Sequence, residues 1–135
     1  MDDALTIIKH AVDRGVGQVD LVRAAAACLR SVAPRASWSQ AEVLAALNAV
    51  ERWTATPSAS NADLALRMVP NLEGLEEKDP EDVDVCLLVA SAMAVLSAAS
   101  NNVTTLTAIL AVEQAGKVAA RVNIDLAPVV TAELL

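Results

Sequence analysis

The chain has 135 residues, 55% of them hydrophobic, and a formal net charge of −7. Apolar side chain in that quantity offsets the entropy of ordering a domain of this length, which excludes a wholly disordered chain. The acidic balance argues against binding phosphate backbones and in favour of binding basic partners.

The apolar content is unusual in kind. Phe and Tyr are absent, Trp occurs twice, and 28 residues are Ala. Alanine has the highest helix propensity and aromatic residues favour strands, so composition predicts an all-α fold. No internal repeat or low-complexity linker interrupts the pattern, and residues 1–135 read as one helical domain built as a bundle of about six helices.

The first helix spans MDDALTIIKHAVDRGVG. Asp2 and Asp3 suit its positive end, Leu5, Ile8 and Val12 form one stripe, and Gly15 stops it. A second covers GQVDLVRAAAACLRSVAP, with Val22, Ala25, Leu29 and Val32 on one face and Pro34 beyond its end. The third, WSQAEVLAALNAVERW, carries the fullest start signal. Ser39 and Glu42 make an S-x-x-E capping box, Trp38 stands where a hydrophobic staple meets Val43, and Val43, Leu47 and Val50 line the stripe.

TATPSASN reads as a loop, and NADLALRMVP as a short fourth helix ending before Pro70. An acidic connector, NLEGLEEKDPEDVD, follows and closes on Asp79-Pro80, which reads as an N-cap and a proline at the first helical position. From there a fifth helix runs to about residue 100, Asn101-Asn102 makes a turn, and a sixth carries Leu106, Ile109, Leu110 and Glu113 toward Arg121. Gly116 is a point at which it ends or kinks. LAPVVTAELL is a short final helix or a tail.

Over 85–112 no residue is charged. A transmembrane hairpin is disfavoured, because SAASNN breaks the run after 16 residues, short of the ~20 a span needs. The first segment is also flanked by Asp82 and Asp84 rather than basic anchors. A helix apolar all round is normally the central helix of a bundle, so about 82–121 is expected to form a central apolar hairpin. Ala90, Ala94 and Ala98, one turn apart, give a face for close backbone approach, and Val89, Met93 and Leu96 supply bulk on another side. The hairpin is a core element, or one shared with a second subunit.

Chemistry has little to work with. His10 is the only histidine and falls on the polar side of the first helix. Cys28 and Cys86 are far apart in apolar runs, where free cysteine acts as a small hydrophobe. No catalytic triad, zinc set or cofactor motif is present: GVGQVD lacks the last glycine of a dinucleotide fingerprint and joins two helices. The absence of base-stacking aromatics and the acids among Arg14, Arg23, Arg30 and Arg35 argue against nucleic acid. Free thiols and an N-terminus without a signal-peptide pattern suit a cytoplasmic protein.

The local anomaly is charge. Residues 1–67 hold seven basic and seven acidic side chains, whereas 68–135 hold three basic and ten acidic. Glu73, Glu76, Glu77, Asp79, Glu81, Asp82 and Asp84 cluster around Lys78 alone. Their order does not match a calcium loop, and docking a basic protein is the functional reading to set beside a solvated connector. The expectation is a non-enzymatic interaction module that self-associates as a homo-oligomer, or masks a protein partner as an inhibitor or immunity protein does. The alternatives are a small-molecule-binding bundle or cofactor-free enzyme and, behind these, a DNA-binding regulator.

Overall fold

In the computed structural model the described residues are 3–69, 82–100 and 104–134. They form seven α-helices and, among themselves, no strand: α1 (Ala4–Asp13), α2 (Gln18–Val32), α3 (Gln40–Ala55), α4 (Ala59–Leu66), α5 (Val83–Ala99), α6 (Thr104–Arg121) and α7 (Ala127–Leu134), with a 3-10 turn at Ala33–Arg35. The all-α reading holds, and the C-terminal segment is a helix rather than a tail.

Helix boundaries follow local chemistry. Asp3 caps α1, its Oδ1 accepting the Thr6 N–H at 2.8 Å, which holds the Asp3 carboxyl below its usual range. At the other end Gly15 takes φ +80°. It lets the Gly15 N–H reach Val12 O and the Val16 N–H reach Ala11 O, both at 3.0 Å, a Schellman ending that only glycine adopts without strain. Asn123 performs the same service for α6 at φ 58°, with Ile124 N–H donating to Ala119 O at 2.9 Å. Asp125 Oδ1 then accepts the Ala127 N–H at 3.0 Å to start α7.

Three sequence expectations shift here. The fourth helix begins at Ala59, inside the segment read as a loop, because Ser58 is extended and caps it by accepting the Asn61 N–H. The fifth helix is capped by Asp82, whose Oδ1 accepts from Asp84 N–H at 2.8 Å and Val85 N–H at 3.3 Å. Asp79 and Pro80, expected at that start, lie outside the described residues. Gly116 neither ends nor interrupts α6, which runs through it to Arg121.

The helices pack in three layers. α2, α5 and α6 touch one another and form the middle; α1 and α7 cover one side, against α2 and α6; α3 and α4 cover the other, against α5. The expected α5–α6 hairpin is the most extensive contact, but α2 shares the centre. The stripe Val22, Ala25, Leu29 and Val32 is buried, and so are Leu21, Ala24, Ala26 and Cys28. Alanine at 24–27 leaves room for neighbours on several sides at once.

On α5 the small face is the deep one. Ala90 and Ala94 are fully buried and Ala98 nearly so, while Val89, Met93 and Leu96 are half-buried. Serines inside this apolar run turn inward on their own helix: Ser91 Oγ donates to Leu87 O and Ser97 Oγ to Ala94 O, both at 2.7 Å. The carbonyl of Ser97, near the helix end, accepts from Gln18 Nε2 of α2 and from Thr104 Oγ1 of α6, each at 2.9 Å. All three middle helices therefore meet at one group.

Two substitutions test this packing. Ala94→Leu, at a site with no exposure, is expected to cost about 1–3 kcal/mol by overpacking; an unchanged urea midpoint would contradict the close approach. A Cβ at Gly116 would meet nothing within 4 Å, so Gly116→Ala is expected to stabilise α6 by roughly 0.5–1 kcal/mol, read as a raised urea midpoint at constant m.

Candidate functional site

The predicted acidic set divides. Glu73, Glu76, Glu77, Asp79 and Glu81 lie outside the described residues. Asp82 is exposed and caps α5. Asp84, two residues on, points to the other side of the helix and is only 4% exposed. It faces the interior and is not presented to a partner.

What Asp84 grips is the start of α3. Its Oδ2 accepts from the Ser37 N–H (2.9 Å), the Ser39 N–H (2.9 Å) and the Ser39 Oγ (2.7 Å). Its Oδ1 accepts from the Ser37 Oγ at 3.1 Å. Burial pushes the Asp84 carboxyl up, yet these bonds from Ser39 and Ser37 outweigh it and hold the group below its ordinary value. The carboxylate also sits in the first turn of α5 and against the first turn of α3, where both helix dipoles favour a negative charge.

This arrangement replaces the capping box expected within α3. Ser39 occupies the N-cap position but makes no side-chain cap bond. Its hydroxyl and its N–H, which Glu42 would have taken, go to Asp84 instead. The signal for this was present. Asp84 falls in register with Leu88, Ser91, Val95 and Ala98, all buried, so it stands on the inward face of α5. The density of acids around it hid that position.

Between the two gripped serines stands Trp38, 54% exposed, with Leu66 (46%) and Leu106 (59%) the other large apolar side chains left open among the described residues. Trp38, expected as a staple onto Val43, keeps more than half of its surface in solvent. Trp53, by contrast, is core. Asp84 ties the backbone on both sides of Trp38, so the exposed indole is carried on a loop fixed to the first turn of α5.

Nucleophiles and metal ligands are not brought together. His10 is exposed on α1. Cys28 and Cys86 are both buried; burial pushes the Cys28 thiol up to about 12, with the charge of Glu133 adding to it, so it is not a ready thiolate. Among the described residues no three His, Cys, Asp or Glu side chains are placed to hold a metal ion, and no helix is long and apolar enough to cross a membrane.

Two clefts open on the surface of the described residues. One, of about 320 Å³, lies among Gln18, Trp53, Pro57, Ser58 and Ala98. The other, of about 460 Å³, is bounded by the start of α1, the C-terminal half of α6 and the residues leading into α7. Neither holds an acid–base pair with a nucleophile. Comparison with known proteins gives no match to a family model, to a curated protein or to a solved structure.

Removing the Asp84 carboxylate leaves the donors of Ser37 and Ser39 without their acceptor. Asp84→Ala is expected to cost about 2–4 kcal/mol, and Asp84→Asn less because one oxygen remains. The sign with pH follows from the lowered value: the contribution is present above the unfolded value near 3.8 and is lost as pH falls through the folded one. Urea titrations from neutral to about pH 3 should show a shallower acid loss in Asp84→Asn than in the wild type; parallel curves would remove Asp84 from this role.

Proposed function

We propose that the chain is a non-enzymatic helical interaction module that docks a basic protein partner through Trp38 and the acids that lead into α5. The supporting observation is the exposure of Trp38 on a loop pinned by Asp84. An aromatic ring already held in place loses little freedom on binding, and tryptophan anchors are frequent among residues that dominate interface energy. Glu73, Glu76, Glu77, Asp79, Glu81 and Asp82 precede Asp84 in sequence and supply a charge that favours basic surfaces. Two cysteines buried apart in the core, Cys28 on α2 and Cys86 on α5, suit a cytoplasmic setting.

Self-association belongs to the same reading. The half-buried stripe of Val89, Met93 and Leu96 on α5 favours it, since apolar surface left open commonly marks an interface. Sedimentation of the purified chain at micromolar concentration is expected to show a dimer.

Docking is tested by capture of basic proteins on immobilised chain. Trp38→Ala is expected to lower retention of a specific partner by about tenfold or more while leaving helicity intact, because the ring is 54% exposed. Changing Glu76, Glu77, Asp79 and Glu81 together to Gln or Asn should slow association more than it speeds release, with added salt acting in the same direction. Retention indifferent to Trp38, to these acids and to salt would refute the proposal.

A further inference from the structure

The larger cleft has features that its role in the fold does not explain. Leu5, Val112, Ala119, Ala120, Ile124 and Leu126 give it an apolar lining, and its volume of about 460 Å³ falls in the range of small-molecule sites, roughly 300–1,000 Å³. Asp3, Glu113, Asp125 and Lys117 also line it, three carboxylates against one ammonium.

Two observations point to an occupant. Gly116 lies in the interior of α6, where alanine would serve the helix better. Glycine there usually reflects a backbone passing close by, but a Cβ at this position would meet nothing within 4 Å. Packing does not call for glycine; what its missing side chain does is keep the cleft open. The second is Glu113, half-buried and four residues before Lys117, the spacing and order that suit an ion pair along a helix. Yet the ion pairs among the described residues are Arg23–Asp20 and Arg30–Glu51, and neither Glu113 nor Lys117 takes part. The Glu113 carboxylate is left available to a ligand at the cleft edge.

We propose that this cleft binds a small amphiphile with an apolar body and a cationic ammonium head. The body lies against Leu5, Val112, Ile124 and Leu126 over Gly116, and the ammonium is neutralised by Glu113 within the field of Asp3 and Asp125. An anionic amphiphile of the same length meets three carboxylates and is rejected. The proposal is independent of docking at Trp38, and neither outcome decides the other.

The test is calorimetric titration of the full chain with octylamine, which is protonated at neutral pH, against octanoate, all below the concentrations at which these amphiphiles aggregate. Octylammonium is expected to bind and octanoate not, with affinity rising about fourfold per methylene from hexyl- to octylammonium. Gly116→Leu should abolish binding while preserving the helical spectrum and the melting transition. If that variant does not fold, Ala120→Leu, from an exposed position in the same lining, takes its place. Glu113→Gln should weaken binding several-fold and Lys117→Gln should tighten it. No binding of octylammonium overturns the proposal. Equal binding of octanoate overturns the head-group assignment, and binding that survives a filled cleft overturns the location.

Discussion

A carboxylate held inside the protein by hydroxyl and backbone donors is the constraint on which the rest of this structure turns. Taking Asp84 out of water is costly, and among the described residues no Lys or Arg within ion-pair distance offsets it. Four hydrogen bonds from Ser37 and Ser39, at 2.7–3.1 Å, and the starts of two helices do so instead. Such a solution demands geometry. The connection from α2 to α3 must pass within reach of the first turn of α5, or the charge is stranded. One side chain therefore fixes where α3 begins, how it leans on α5, and where Trp38 emerges between its two serines.

The bundle around that node is built from small residues. With no Phe or Tyr and 28 alanines, the core has little besides Trp53 to fill space with large rings, so its helices gain contact by approaching closely. α5 turns Ala90, Ala94 and Ala98 inward and leaves its bulkier Val89, Met93 and Leu96 nearer the surface. Close approach leaves little room for water, so polar groups must be met locally: Ser91 and Ser97 bond their own helix, and Gln18 and Thr104 reach the end of α5. No buried side-chain nitrogen or oxygen among the described residues lacks a partner, as a tightly packed interior requires. This explains how the uncharged residues of α5 and of the first half of α6 belong to a folded core.

Much of this was legible in sequence. Alanine content and 3.6-residue periodicity placed α1, α2, α3, α5 and α6, and Gly15 marked a true stop. What escaped were features set by contacts distant in the chain. Ser39 and Glu42 satisfied every local rule for a capping box, yet Asp84, 45 residues away, offered a charged and better-placed acceptor and won. α2 looked amphipathic because periodicity reports one stripe; its second buried side arises only when α6 and α5 pack around its alanines. The acidic set misled for a related reason. Composition counts charges together, while a helix turns residues two apart to nearly opposite sides, which sends Asp82 outward and Asp84 in. The cleft beside Gly116 had a trace in sequence, a glycine inside a helical pattern, but only the empty space around its missing Cβ separates an open floor from a kink.

The same distinction governs how the net charge of −7 bears on function. Asp3, Asp82, Asp84 and Asp125 each accept a backbone N–H near a helix start, so their charge stabilises folded elements before it serves any partner. Neutralising them would confound binding with unfolding. Among the described residues Glu113, at the edge of the cleft, makes no such bond, and the cleft proposed as a ligand site draws on its charge.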